Sequence, residues 1–230
     1  YRQTQGYTTT VMREPVGVAA LIAPWNAPLA LSSMQIASSI AFGNTCVVKP
    51  SEQSPLAVAR MIELLCEAGL PPGVVNLVNG RGPVTGQALV THPEINRVSF
   101  TGGTETGRHI MASAAQNLVP CTLELGGKSA NIIFASADLD RALDGALLGI
   151  FSNNGQQCLA GSRILVERCI LDDFMARFVA RARALRLGDP MADCTELGPL
   201  ASRAQMNRVL QFAQQAPAEG CTLLAGGQPA

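Results

Sequence analysis

The stretch Arg97-Val-Ser-Phe-Thr-Gly-Gly-Thr-Glu-Thr-Gly107 decides the fold of this chain. Residues 97–100 read as a short buried strand, residues 101–107 as a Gly-rich turn, and a helical pattern follows to about Ala115. Strand, glycine turn and helix in that order build a parallel sheet, because a parallel neighbour is reached only by a long crossover, usually helical. The same unit recurs on the N-terminal side. Residues 16–23 read as a strand stopped by Pro24, residues 45–48 as a strand stopped by Pro50, and residues 74–78 as a strand running into Gly80 and Gly82. Ser54 is placed to cap a helix over residues 55–68 that Gly69 closes, and a short helix is expected near 83–90. On the C-terminal side a strand is expected at 131–134, then a helix capped by Asp138 to about Phe151, and a strand at 163–167. Helices at 172–185 and 201–216 and a strand near 222–224 complete the pattern. The strands between residues 16 and 100 are apolar along their length, so the expected class is α/β, with a doubly wound parallel sheet there covered by helices on both faces. Residues 1–15 alternate polar and β-branched positions and read as a hairpin or arm for assembly, or as a disordered terminus.

Composition narrows the function. The chain has 230 residues, 47% apolar and 15% charged, enough to bury a core in one or two domains. Its 17 basic residues balance 17 acidic ones, which argues against a nucleic-acid groove or a polybasic membrane patch. The seven cysteines form no CxxC pair, and both histidines, His92 and His109, lie far from any of them. Neither a metal site nor a disulfide framework is expected, and a reducing, cytoplasmic setting is. The apolar run 16–23 is too short to span a bilayer, and the polar start carries no signal-peptide core. A small-molecule partner or another subunit fits best.

Six places carry residues suited to chemistry. The glycines 102, 103 and 107 open a helix after a strand, where free amides and the helix dipole bind a pyrophosphate; the plainer reading is a turn. Gly80 and Gly82 would let backbone approach a ligand in the same way. Lys49 and Glu52 stand at the end of a strand, where such sheets place ligands, and suit the hydroxyls of a ribose; a solvated turn is the alternative. The Glu52 carboxylate would repel a 2′-phosphate, favouring NAD over NADP. Cys158 lies in the polar stretch Asn153-Asn-Gly-Gln-Gln-Cys-Leu-Ala-Gly-Ser-Arg163, a poor place for a packed cysteine. A helix N-terminus there would make it a thiolate nucleophile. The other six, Cys46, Cys66, Cys121, Cys169, Cys194 and Cys221, are expected to be buried hydrophobes. Glu124, between two leucines and before two glycines, is expected to be buried and to serve as a general base, or to accept hydrogen bonds from the glycine turn. Asn26, in a double-proline turn, is suited to donate to an oxyanion or to stabilise its own loop.

Together these stretches resemble the aldehyde dehydrogenase superfamily. PWNAP at 24–28, KPSE at 49–52, FTGGTETG at 100–107, LELGGKS at 123–129 and GQQCLAGSR at 155–163 follow the family's order and spacing. The resemblance implies a Rossmann-like cofactor domain over 16–125, an incomplete α/β catalytic domain over 126–230, and part of an oligomerisation hairpin in 1–15. It implies that Cys158 attacks the aldehyde to give a thiohemiacetal and then a thioester. Asn26 would complete the oxyanion hole, and Glu124 would activate the water that releases the acid. Lys49 and Glu52 would contact the adenosine ribose of NAD, with Gly103, Gly82 and Trp25 also at the cofactor. No metal is implied, and the full-length protein would be a homodimer or homotetramer acting on a small-molecule aldehyde.

The departures from the family pattern also carry expectations. Ala27, Met34 and Ser152 stand where aromatics are common, implying a wider, more polar pocket similar to that of the hydroxymuconate-type semialdehyde dehydrogenases. Gln35 replaces a lysine common in the family and implicated in proton transfer. Family members are longer at both ends, so the start at Tyr1 and the ending GGQPA read as cut edges, and the chain as a central fragment whose activity is open. Two other classes stand beside this reading: a non-catalytic nucleotide-binding or assembly module, and a thioesterase or acyl transferase using Cys158 without a cofactor.

Overall fold

The computed structural model describes residues 2–4 and 6–229, and the chain divides by packing into Tyr1–Leu125 and Gly126–Ala230. In the first unit β1 (Arg2–Thr4) and β2 (Tyr7–Thr9) pair as an antiparallel hairpin; Tyr1, on which the chain opens, lies outside the described residues. A five-stranded parallel sheet follows: β3 (Val18–Ile22), β4 (Thr45–Lys49), β5 (Val75–Leu77), β6 (Arg97–Gly102) and β7 (Cys121–Leu125). Its spatial order is β5-β4-β3-β6-β7, so the chain winds outward from β3 in one direction and then returns to wind in the other.

The helices confirm the double winding. Helices α1 (Pro28–Ala41) and α2 (Pro55–Glu67) bring Ile36, Val58 and Ile62 against Ala19, Leu21, Cys46, Val48 and Val75 on one face. Helices α3 (Gln87–Val90) and α4 (Thr104–Ala115) bring Val90, Ile110 and Ala114 against Ala20, Ile22, Val98 and Phe100 on the other. Neighbouring residues of β3 thus feed opposite cores, which is why a strand in the middle of such a sheet is apolar throughout.

Helix α1 is absent from the sequence reading. Serines at 32, 33, 38 and 39 mask it, since serine competes for backbone hydrogen bonds and favours turns. Its inward face, Ser32, Ile36 and Ser39, nonetheless keeps helical spacing. Strand β7 was likewise not anticipated. As an edge strand it buries one face only, and its alternation of half-buried and exposed residues is weaker than an apolar run. Ser54 does stand at the N-cap of α2, but its hydroxyl makes no cap bond and is buried without a partner among the described residues. Pro55 at the first helical position sets the start instead.

In the second unit β8 (Ala130–Ile133) and β9 (Arg163–Val166) pair in parallel. Helices α5 (Leu139–Phe151) and α6 (Leu171–Arg183) cover one face with Leu143, Ala146 and Phe174 around Ile133. Asp138 caps α5, accepting from the amides of Asp140 and Arg141. Ion pairs Arg177–Asp140 and Arg181–Asp144 stitch the two helices one turn apart. Within this unit Ile132, Phe134 and Leu165 are exposed. Helix α7 (Arg203–Gln215) forms, but the strand expected near 222–224 does not; residues 221–224 have no regular structure and no ladder partner. Three residues are too few to hold a strand without a neighbour to pair with. No described helix is long and apolar enough to cross a membrane.

Candidate functional site

All five strands of the first sheet run the same way, so their carboxyl ends share one edge. The register places Ile22 beside both Lys49 and Phe100, Val48 beside Leu77, and Thr101 beside Glu124. The winding reverses between β3 and β6, and a crevice outside the carboxyl ends at such a switch point is where open α/β sheets bind ligands. Trp25 and Asn26 follow β3 there and are half-buried, two to three residues before Pro28 starts α1.

Gly103, which follows the end of β6, is the N-cap of α4. It offers no capping side chain, and a Cβ added to it would meet nothing within 4 Å. The backbone amides of that first turn are therefore open to an anion. Further along the same helix the opposite holds: a Cβ on Gly107 would come within 2.6 Å of the Leu125 side chain, so this glycine lets α4 lie close against β7.

Lys49 is not a solvated turn residue. It is 2% exposed, with its stem running past Gly86 and its ammonium donating to the Pro50 carbonyl at 3.0 Å. The Glu52 carboxylate, half exposed, lies 3.7 Å from the same nitrogen. The buried charge is thus paired with both a carbonyl and a carboxylate, the condition under which a lysine is kept inside. Gly82 begins a five-residue π-helix, Gly82–Gly86, a rare element found often at functional sites, and a Cβ there would also meet open space.

Gln35 reaches from α1 across the switch point. Its Nε2 lies 3.4 Å from the Ile22 carbonyl on β3, and 3.2 and 3.4 Å from the hydroxyls of Ser99 and Thr101 on β6. Its amide oxygen is buried with no hydrogen-bond partner among the described residues. Where a lysine would bring a charge, this chain has a neutral tie between two strand ends.

Glu124 departs from expectation. It is exposed, because β7 is an edge strand and only Cys121, Leu123 and Leu125 turn toward the core. Thr122 and Glu124 occupy the other face of β7.

Cys158 lies in the second unit. No helix starts at it; it follows a 3₁₀ turn, Ser152–Gly155, and is exposed, with β9 beginning five residues later. The turn is unusual. Asn153, Asn154 and Gly155 all have positive φ, 51°, 56° and 72°. Asparagine tolerates the left-handed region better than most residues, which explains the Asn-Asn-Gly sequence. The reversal ends α5 and carries the chain to Cys158, whose carbonyl would lie 3.3 Å from a Cβ added at Gly127.

Two amide side chains of this loop hold a distant segment. Asn154 donates from Nδ2 to the Pro199 carbonyl at 3.0 Å and accepts at Oδ1 from the Gly198 amide at 3.1 Å. Gln156 accepts at Oε1 from the Ala201 amide at 3.0 Å. Sequence reasoning gave Asn154 no role; the Asn-Asn-Gly run was its only signal.

The other cysteines also correct the sequence reading. Cys46 is buried and Cys121 half-buried, but Cys66, Cys169, Cys194 and Cys221 are exposed, on helix ends and loops where a small apolar residue meets no core. Burial pushes the Cys46 thiol up to about 11, and burial raises that of Cys121 against the opposing charge of Arg97. Among the described residues no group of three or more His, Cys, Asp or Glu side chains is placed to hold a metal ion.

The comparisons with known proteins agree with this architecture. The model of the aldehyde dehydrogenase family matches residues 1–230. Retinal dehydrogenase 2 of Mus musculus is 48% identical over 223 residues, covering 96% of this chain and 43% of the relative. A crystal structure of PnpE in complex with nicotinamide adenine dinucleotide superposes with a TM-score of 0.92 at 48% identity, over 94% of this chain and 44% of that one. HpcC from Thermus thermophilus gives a TM-score of 0.92 at 50% identity, over 94% of this chain and 42% of its own. The chain thus spans less than half the length of these relatives. It belongs to the aldehyde dehydrogenase family.

Proposed function

We propose that this chain carries the machinery to oxidise an aldehyde or semialdehyde to its carboxylic acid with NAD. In this reading residues 16–125 are the dinucleotide-binding domain and residues 126–230 the nucleophile-bearing part of the catalytic domain. The supporting observation is the ligand edge of the first sheet. An α4 N-terminus free of a side-chain cap stands at the switch point, on the same sheet edge as the buried Lys49 and half-exposed Glu52. A dinucleotide fits that edge: the Gly103 turn takes the pyrophosphate, Lys49 and Glu52 take ribose hydroxyls, and Gly82 and Trp25 border the cofactor. NAD supplies the hydride acceptor that turns a thiol adduct of the aldehyde into a thioester.

The chain's own groups do the rest. The exposed Cys158 sulfur, its proton passed to solvent water, bonds to the carbonyl carbon as the C=O π pair moves onto oxygen. The Asn26 amide donates to that oxygen and stabilises its charge. After oxidation, Glu124 takes a proton from water, the hydroxyl adds to the thioester carbon, and the C–S bond breaks to release acid and thiolate. The exposure of Glu124 suits a base that must meet water.

Ala27, Met34 and Ser152, in place of bulkier aromatic side chains, favour a substrate with a second polar group, such as a carboxylated semialdehyde. The β1–β2 hairpin, with Tyr7 exposed, is the element we assign to assembly of a homodimer or homotetramer in the cytoplasm.

NADH absorbance tests the proposal, with NAD, a panel of aldehydes and Cys158→Ser as control. NADH formation in the parent chain that disappears in the variant is the expected result. NADH formation that survives the substitution removes Cys158 from its role, and binding of NAD with no turnover of any aldehyde favours a nucleotide-binding module. A kcat/KM higher for hexanal than for a carboxylated semialdehyde would refute the substrate class.

A further inference from the structure

We infer that Asn154 is a positioning residue, which uses the segment 198–201 as a buttress to hold the loop of Cys158 in its left-handed turn. Three consecutive residues with positive φ precede Cys158, and two of them are not glycine. Such a run persists only where its surroundings over-determine it. Within the turn, the Gln156 backbone N–H and Nε2 donate to the Asn153 carbonyl at 3.0 and 3.3 Å, and Asn153 Nδ2 donates to the Gln156 carbonyl at 3.4 Å.

A further constraint comes from more than forty residues away. The Asn154 carboxamide makes two bonds to the adjacent residues Gly198 and Pro199, one accepting and one donating, so the amide plane is fixed in both position and rotation. Gln156 adds the Ala201 amide, and the two side chains together hold three backbone groups in four residues.

The buttress is itself anchored. The Gly188 amide donates to the Leu197 carbonyl at 3.1 Å, and Glu196 accepts from the Arg186 amide at 3.0 Å while pairing with the Arg186 guanidinium. A reacting sulfur must be delivered to within a fraction of an ångström, and this clamp fixes the loop that delivers it. Asn154 touches none of the reacting atoms; it acts through residues 155–158.

This inference rests on Cys158 being the nucleophile, so its test has an arm that does not need turnover. Hydrogen exchange is measured on the chain and on Asn154→Gly, a substitution that eases the left-handed backbone while deleting the clamp. The amides of Gln156, Ala160 and Ala201 are expected to exchange about tenfold faster in the variant, with those of β8, β9 and α6 unchanged. Unchanged exchange at Gln156 and Ala160 overturns the inference. So does acceleration spread evenly over the second unit, which would mark a merely structural asparagine.

In the activity arm kcat falls about tenfold or more while KM for NAD stays put, because the cofactor edge lies on the other unit. Asn154→Asp, which keeps the acceptor for Gly198 and loses the donor to Pro199, gives an intermediate kcat. A rise in KM for NAD with kcat intact overturns the assignment. If the parent chain shows no turnover, the functional proposal fails, and the exchange arm still decides the clamp.

Discussion

Raising the pH from 8 to 11 should loosen the first unit through a single buried thiol. Cys46 is fully enclosed on β4, among Ala19, Leu21, Val48, Val58 and Val75, and burial pushes its pKa up from an ordinary 9.0 to about 11. In the unfolded chain the thiol ionises at its ordinary value. The folded state therefore holds its proton longer, and stability is full below pH 9 and lost as the pH climbs through 11. A difference of about two units corresponds to about 2.7 kcal/mol. With a urea slope of roughly 2 kcal/mol per molar, the unfolding midpoint falls by about 1.3 M across that window. Urea titrations of the chain at a series of pH values, under reductant, measure this.

Cys46→Ala is the control. It loses about 1–2 kcal/mol at pH 8 by leaving a small cavity, and its midpoint then declines less between pH 9 and 11 than that of the parent. Cys121, also raised by burial, stays in both proteins and cancels in the comparison. Equal decline in parent and variant would show that Cys46 reaches solvent in the native state, and the packing of the first core would need to be redrawn.

Two further outcomes test the other unit and the cofactor edge. Phe174→Ala removes a fully buried ring stacked on Phe178 at 5.8 Å; about 3–5 kcal/mol of the second unit's stability should go with it, read from urea unfolding, and a loss under about 1 kcal/mol would contradict the α5–α6 core. Glu52→Ser removes the half-exposed carboxylate beside Lys49, and the ratio of NADP to NAD affinity should rise about tenfold, or ~1.4 kcal/mol, by competitive binding; an unchanged ratio would take Glu52 away from the ribose.

Much of the architecture was legible in the residues. A strand, a glycine turn and a helix at 97–115, repeated along an apolar chain, require parallel strands with helical crossovers, and Asp138 marks the start of α5 through a short side chain that accepts from the backbone amides two and three residues on. These are local effects: period, punctuation and capping act over a few residues and survive any tertiary context. The five motifs likewise marked the family without a structure. Helix α1 and strand β7 were missed because their local preferences are weak, and burial of Ser32, Ile36 and Ser39 against the sheet decides the first of them.

What only the tertiary structure decided concerns exposure and distance. Lys49 has the composition of a surface residue and is buried, since β4 carries it under the π-helix; Glu124 sits between leucines and is exposed, since β7 has no neighbour on its far side. Neither follows from the residues alongside, because burial depends on which strand lies at the edge, and edges are set by the order in which the whole chain winds. The grip of Asn154 on Gly198 and Pro199 is of the same kind. The Asn-Asn-Gly sequence specifies a left-handed turn, but the partner that holds it lies more than forty residues on, and only folding brings the two together.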